Sequence, residues 1–352
     1  MMNAYIKSTG AITPQPTFDE SFPWKENMPA NLRMNAIEPE YKNYIPPVKL
    51  RRMSRVVKMG LCAAIACLKK ADLEQPDAII TTTGWGCLAD TFRFLDEIVE
   101  KNEQTLSPAT FIQSTHNTVG GQIALLLGCQ EYNSVYVNSN SSFEHGLLDS
   151  ILLLNEGKEN VLLGGIDEFN ETDFNLKKQA GYWKNEDDDL QILPNSKTTG
   201  TISGEGSAFF LLTDKEDSSI YAKIDGVKIF SGDPDQKLQN IFQENNICAD
   251  DIQLVISGIN GDSLKNNQYV GFYNRMLPSA CKCCYKHLCG EHDSASAFAL
   301  WLAEAVLRTQ VLPEYLSWDQ RIYDQKQINR ILIHHYNTPD EHAFILVSKT
   351  NI

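Results

Sequence analysis

Nothing in this chain reaches the roughly 18 consecutive apolar residues that a membrane-spanning helix needs. Basic residues are also few: 31 Lys and Arg stand against 45 Asp and Glu, a formal net charge of -14. Phosphate recognition requires clustered Lys and Arg, so this balance argues against a nucleic-acid binder, and an acidic protein partner would need a local basic patch. A regular cysteine framework is lacking as well. The nine cysteines are odd in number, and Cys62, Cys67 and Cys129 fall in apolar helical stretches, where a free thiol acts as a small hydrophobe. The opening residues MMNAYIKSTGAITPQ read as a strand and turn, not as a charged segment followed by an apolar core. The expectation is a reduced, cytoplasmic protein.

What is present is an ordinary globular composition, 42% hydrophobic and 22% charged over 352 residues. At about 150 residues per domain this length suits two domains, or two halves of one body. Apolar, β-branched runs at residues 4–12, 77–86, 134–137, 161–168, 204–213, 222–230, 254–261, 330–335 and 342–348 read as strands. Helical periodicity lies between them at residues 53–70, 90–101, 143–157, 237–245, 265–276 and 293–309. Such alternation predicts an α/β architecture with largely buried sheets. The pattern begins again after residues 214–219, which predicts a duplicated fold with halves 1–214 and 215–352. Residues 14–47 are proline-rich and read as a surface excursion; 173–204, with its acidic run at 186–189, reads as a solvated loop.

Residues 134–168 organise the chain: a buried strand, a small-residue turn, a long helix and a second strand closed by glycines. A strand-to-helix turn is where several enzyme classes mount a nucleophile, because the turn projects one side chain and the helix N-terminus stabilises an anion there. This turn holds Asn138, Ser139, Asn140, Ser141 and Ser142, and no cysteine. A serine there would need a base; the alternative is that these side chains satisfy turn hydrogen bonds. The run CKCCYKHLCGEH at 281–292 invites a zinc reading, but its cysteines are too close together for the usual pairs of a tetrahedral site. Buried small side chains leading into a helix are the alternative. Neither a cofactor nor a metal is expected.

Taken together, AYIKSTGAITPQ, LSPATFIQSTHNTVGGQIALLLG, the 134–168 stretch, GEGSAFFLLT, SGINGD and CKCCYKHLCGEH resemble, in order, the motifs of the β-ketoacyl synthases. The resemblance implies a thiolase-like duplicated α/β/α/β/α layered fold. It places the nucleophilic cysteine on Asn140, or on Ser139 or Ser141 with a one-residue slip. It places the first catalytic histidine on Asn260, the lysine on Lys282 and the second histidine on His287. The late glycine-rich turn falls near residues 336–340, where YNTPD departs from it. Condensation needs a thiolate, so acyl loading on this chain should fail. The resemblance therefore implies a non-condensing subunit, similar to a chain-length factor, in a bacterial fatty-acid- or polyketide-type synthase, with polyene pigment synthesis as a setting. Its implied partners are an active ketosynthase subunit or a second copy, and an acyl carrier protein. A decarboxylase or acyltransferase using Asn260, Lys282 and His287 is the enzymatic alternative, and a zinc protein the third.

Overall fold

Successive residues of a strand face opposite sides, and here each side meets a different helical layer. In the computed structural model, which describes residues 4–19, 21–28, 31–185, 188, 196–318, 327–338 and 341–350, ten strands form one sheet. They are β1 Ala4–Ile12, β2 Ala78–Thr82, β3 Tyr132–Tyr136, β4 Asn160–Asp167, β5 Gly206–Thr213, β6 Ala222–Ser231, β7 Leu254–Ser257, β8 Cys281–Cys284, β9 Arg330–Thr338 and β10 Glu341–Lys349. Their order is β8-β7-β9-β10-β6-β1-β5-β4-β2-β3. The first five and the last five strands thus follow one spatial order, and antiparallel pairing of β1 with β6 joins them. This is a duplicated fold.

Among the described residues the longer helices are α1 Arg55–Lys70, α2 Leu88–Glu100, α3 Thr118–Leu127, α4 Ser142–Asn155, α5 Glu171–Gln179, α6 Pro234–Asn245, α7 Ser263–Met276 and α8 Ala295–Thr309. α4 and α8 form the middle layer. Phe143, Leu147 and Ile151 of α4 and Phe298 and Leu302 of α8 pack against Ile80 and Leu163 of one half-sheet and Ile256 and Ile333 of the other. The neighbours Ile79 and Leu162 face outward to Leu61 and Ile65 of α1. Val255 and Leu332 likewise face Leu238 of α6 and Phe272 of α7. The result is the five-layer α/β/α/β/α arrangement. The small residues of α1 serve close approach: a side chain at Gly10 of β1 would put its Cβ 2.3 Å from the Ala63 carbonyl oxygen.

Two readings change. Residues 14–47 are not a surface excursion. Phe22 and Trp24 are buried, with Trp24 5.2 Å and Phe22 6.3 Å, ring to ring, from Trp301 of α8. Proline hid this, because the segment packs through isolated aromatics rather than a periodic face. Within 173–204, α5 is a helix capped by Asn170, whose side chain accepts from the amides of Thr172 and Asp173. Of the acidic run, residues 186, 187 and 189 lie outside the described residues.

Candidate functional site

The turn between β3 and α4 is built by its own serines. Asn138 donates its amide to Ser142 Oγ at 2.7 Å, and Ser142 Oγ donates to the Ser139 carbonyl at 2.6 Å. Ser139 sits at a φ of 46°, the left-handed region. Two bonds then tie the turn to the closing hairpin. His335 Nε2 donates to the Asn140 carbonyl at 3.0 Å, and Ser141 Oγ donates to Glu341 Oε1 at 2.8 Å. A carbonyl only accepts, so the proton of His335 lies on Nε2, and its Nδ1 accepts from the Tyr285 hydroxyl at 2.8 Å. Burial, with Lys286 adding to it, holds His335 well below the usual histidine range, so the ring stays neutral.

Asn260 follows β7 and is buried. Its Nδ2 donates to Glu291 Oε2 at 2.7 Å, and Glu291 Oε1 receives Lys286 Nζ at 2.5 Å. The Lys286–Glu291 ion pair is almost completely removed from solvent, with side chains 1% and 4% exposed. Next to it, His292 Nδ1 lies 3.6 Å from Asp167 Oδ2 at the end of β4. Asp167 also accepts from Thr83 Oγ1 and the amides of Gly84 and Ser294. Burial alone would raise this carboxyl; these donors, His292 foremost, outweigh it and hold it low. Asp293 faces the other way. Burial and the Asp167 charge push it up to about 7. Its carboxyl fits only because residue 84 is glycine: a Cβ there would lie 2.1 Å from Asp293 Oδ2. In the first turn of α4, burial likewise lifts Glu144 to about 7.

A cleft of about 40 Å³ opens onto this cluster, lined by Trp85, Asp167, Glu168, Trp183, Glu291 and His292 among others. That is room for a water or two, not for an acyl chain.

The predicted site residues separate into three places. Ser139, Asn140 and Ser141 share the turn, and the hairpin holds them. Asn260 joins Glu291 and Lys286. Lys282 lies on β8 and donates to the Ala280 carbonyl at 2.9 Å. His287 donates from Nε2 to the Tyr315 carbonyl and faces Cys284 Sγ at 3.4 Å; burial lowers it to about 4. The hydrogen bonds described for Asn260 and for the turn are made with other residues. Sequence reasoning missed Lys286, Glu291, His292, Asp167, Tyr285 and His335. One signal was available for His292, which stands three residues ahead of the long apolar helix. The cysteine run alternates across a strand: Cys281 and Cys283 enter the middle layer and Cys284 the outer one. Among the described residues no group of three His, Cys, Asp or Glu side chains is placed to hold a metal.

The turn offers no thiolate. Cys284, Cys87 and the other described cysteines sit on other elements, and burial pushes the Cys284 thiol up to about 12. What the cluster holds is a charge pair satisfied from within and a histidine–aspartate pair.

Residues 23–184 match the family model described as "Beta-ketoacyl synthase, N-terminal domain". No curated protein matches the chain in sequence. Solved structures match it in fold. The ishigamide ketosynthase/chain length factor aligns with a TM-score of 0.80 at 15% identity, over 99% of this chain and 100% of its own. A β-ketoacyl synthase from Burkholderia phymatum STM815 gives 0.80 at 13%, over 100% of both chains. The ketosynthase ApeO in complex with its chain length factor ApeC, from Xenorhabdus doucetiae, gives 0.76 at 15%, over 99% and 98%. No helix among the described residues is long and apolar enough to cross a membrane. The chain thus shares the five-layer duplicated fold of the β-ketoacyl synthases, and residues 23–184 match their N-terminal domain, while its strand-turn-helix segment at residues 132–155 holds no cysteine.

Proposed function

We propose that this chain is a non-condensing, chain-length-factor-like subunit that pairs with an active ketosynthase, in a synthase of fatty-acid, polyketide or polyene type. One observation carries the reading: the nucleophile mount is kept in shape while its reactive atom is gone. His335 and Glu341 hold the turn, and Asn260 is bonded into the buried Lys286–Glu291 pair. The halves 1–214 and 215–352 are taken as one body that acts as a single subunit.

Two surfaces support the partners. β3 is the outer strand of the sheet, and Tyr132, Val137 and Leu152 beside it are exposed, which suits pairing with a second chain along that edge. Arg51, Arg52 and Arg93 line a concavity of about 490 Å³ in an otherwise acidic protein, next to exposed Phe111 and Ile112. That local basic patch suits an acidic carrier protein. The alternative of a decarboxylase or acyltransferase using Asn260, Lys282 and His287 is less favoured, because the Asn260 amide is engaged by Glu291 and His287 by the Tyr315 carbonyl.

The test is coexpression with a ketosynthase that has its cysteine. The expected result is a one-to-one complex in native mass spectrometry, with acyl adducts on the partner alone. An adduct on this chain, or no association with any ketosynthase encoded beside it, overturns the reading.

A further inference from the structure

Two further concavities lie away from the β3–α4 turn, at the end of the sheet where β6 and β9 begin and β10 ends. One, of about 340 Å³, is lined by Lys223, Asp225, Lys228, Asn245 and Arg330 among others. The other, of about 510 Å³, is lined by Gln253, Asn329, Arg330, Ser348 and Lys349 among others. Arg330 belongs to both. Volumes of this size suit a small molecule.

The ladder explains how the charges converge. Arg330 of β9 pairs across to Ser348 of β10, and Ser348 pairs on to Lys223 of β6. Directly opposed residues share a face of the sheet, so two cations flank one hydroxyl. The acids nearby are mostly engaged. Glu244 holds Lys228 at 2.8 Å, Asp251 accepts the Cys248 amide at 2.8 Å, and Asp225 Oδ1 stands 3.7 Å from Lys223. Arg330 is left over. Its Nε is buried without a hydrogen-bond partner, and among the described residues Asp251, which lines the same concavity, is the carboxylate that feels its charge. Asp225 Oδ2, in the same concavity, is also buried without a partner. A buried Nε donor left without a partner is costly, and the planar guanidinium fork fits a tetrahedral or planar oxyanion.

We propose that this groove binds a small hydroxylated phosphate ester. The phosphate takes the Arg330 fork, with Lys223, on the same face of the ladder, neutralising its second charge. A ligand hydroxyl donates to Asp225 Oδ2, and the amides of Asn245, Gln253 and Asn329 line the walls. The site is separate from the β3–α4 turn and independent of the pairing role.

The test is calorimetric titration of the full chain with glycerol 3-phosphate at fixed ionic strength, beside malonate. The expected result is saturable one-site binding, at least tenfold weaker in Arg330→Gln, with malonate binding more weakly than the phosphate ester. Lys223→Gln, which keeps the backbone ladder, should weaken binding about threefold, and it serves if Arg330→Gln does not fold. No saturable heat, affinity unchanged in both variants, or tighter binding of malonate overturns the assignment.

Discussion

His335 Nε2 donates to the backbone carbonyl of Asn140, joining the closing hairpin to the turn across 195 residues of sequence. Because Tyr285 donates to the other ring nitrogen, the three groups form one directed chain from hydroxyl to ring to carbonyl. Removing the ring leaves a buried hydroxyl and a carbonyl without partners. His335→Ala should therefore destabilise the protein by about 2–4 kcal/mol in urea unfolding, and Tyr285→Phe by about 1 kcal/mol. In a double-mutant cycle the two should couple by about 0.5 kcal/mol or more. Strict additivity would remove the idea of a relay.

The Lys286–Glu291 pair gives a sharper test. Breaking one partner strands the other charge in a dry interior, so Lys286→Met alone should cost about 3–5 kcal/mol. Changing both, Lys286→Met with Glu291→Leu, should recover most of that loss, because the desolvation of both ions disappears as well. Equal destabilisation by the single and double variants would mean that the pair is not the buried element holding the cluster.

Glu144 sets a pH dependence whose sign follows from its raised carboxyl. Unfolded, it titrates near 4.5; folded, near 7. Below about 4.5 both states are protonated and this stabilising contribution is complete. As pH rises toward about 7 the unfolded chain releases the proton first, so stability falls, and it levels off above that. Asp293, also raised to about 7, acts in the same direction. Glu144→Gln should flatten this part of the curve and gain up to about 3 kcal/mol above neutrality. Unfolding midpoints of both proteins across this range measure the difference, and identical slopes would contradict it.

Ser139 holds left-handed backbone at an exposed position. Glycine accepts that conformation without a Cβ clash, so Ser139→Gly should be neutral or stabilise by up to about 1 kcal/mol in chemical unfolding. A clear loss of stability would mean that the serine side chain, not the turn geometry, matters there.

On the carrier side, Arg51→Glu with Arg52→Glu should weaken carrier binding at least tenfold in a titration at low salt, and the wild-type affinity should fall as salt rises. Affinity insensitive to both changes would move the carrier elsewhere.

The sequence was most legible where burial follows a period. Ile79 and Ile80, or Leu332 and Ile333, announce a strand covered on both faces, and the small residues of α1 announce close packing. It was least legible where contacts are long-range. Nothing in the spacing of Lys286 and Glu291 says that Asn260 will complete them, and nothing near residue 335 points to residue 140. A motif of lysine and histidine drew attention to Lys282 and His287, yet the strand at 281–284 aims Lys282 elsewhere and a helical turn buries His287 against Tyr315. Trp24 shows the same limit in the fold, since a lone aromatic in a proline-rich stretch carries no periodic signature.

The two ends of the sheet differ. β8, at one end, is fully buried; Cys283 bridges to Ser317, and the Trp318 amide donates to the Lys282 carbonyl. β3, at the other, keeps its outer side open. A ribbon that can be extended from one end only cannot propagate. Among the described residues this sheet has one open end, so two chains joined along it would leave neither with a further open end of that sheet.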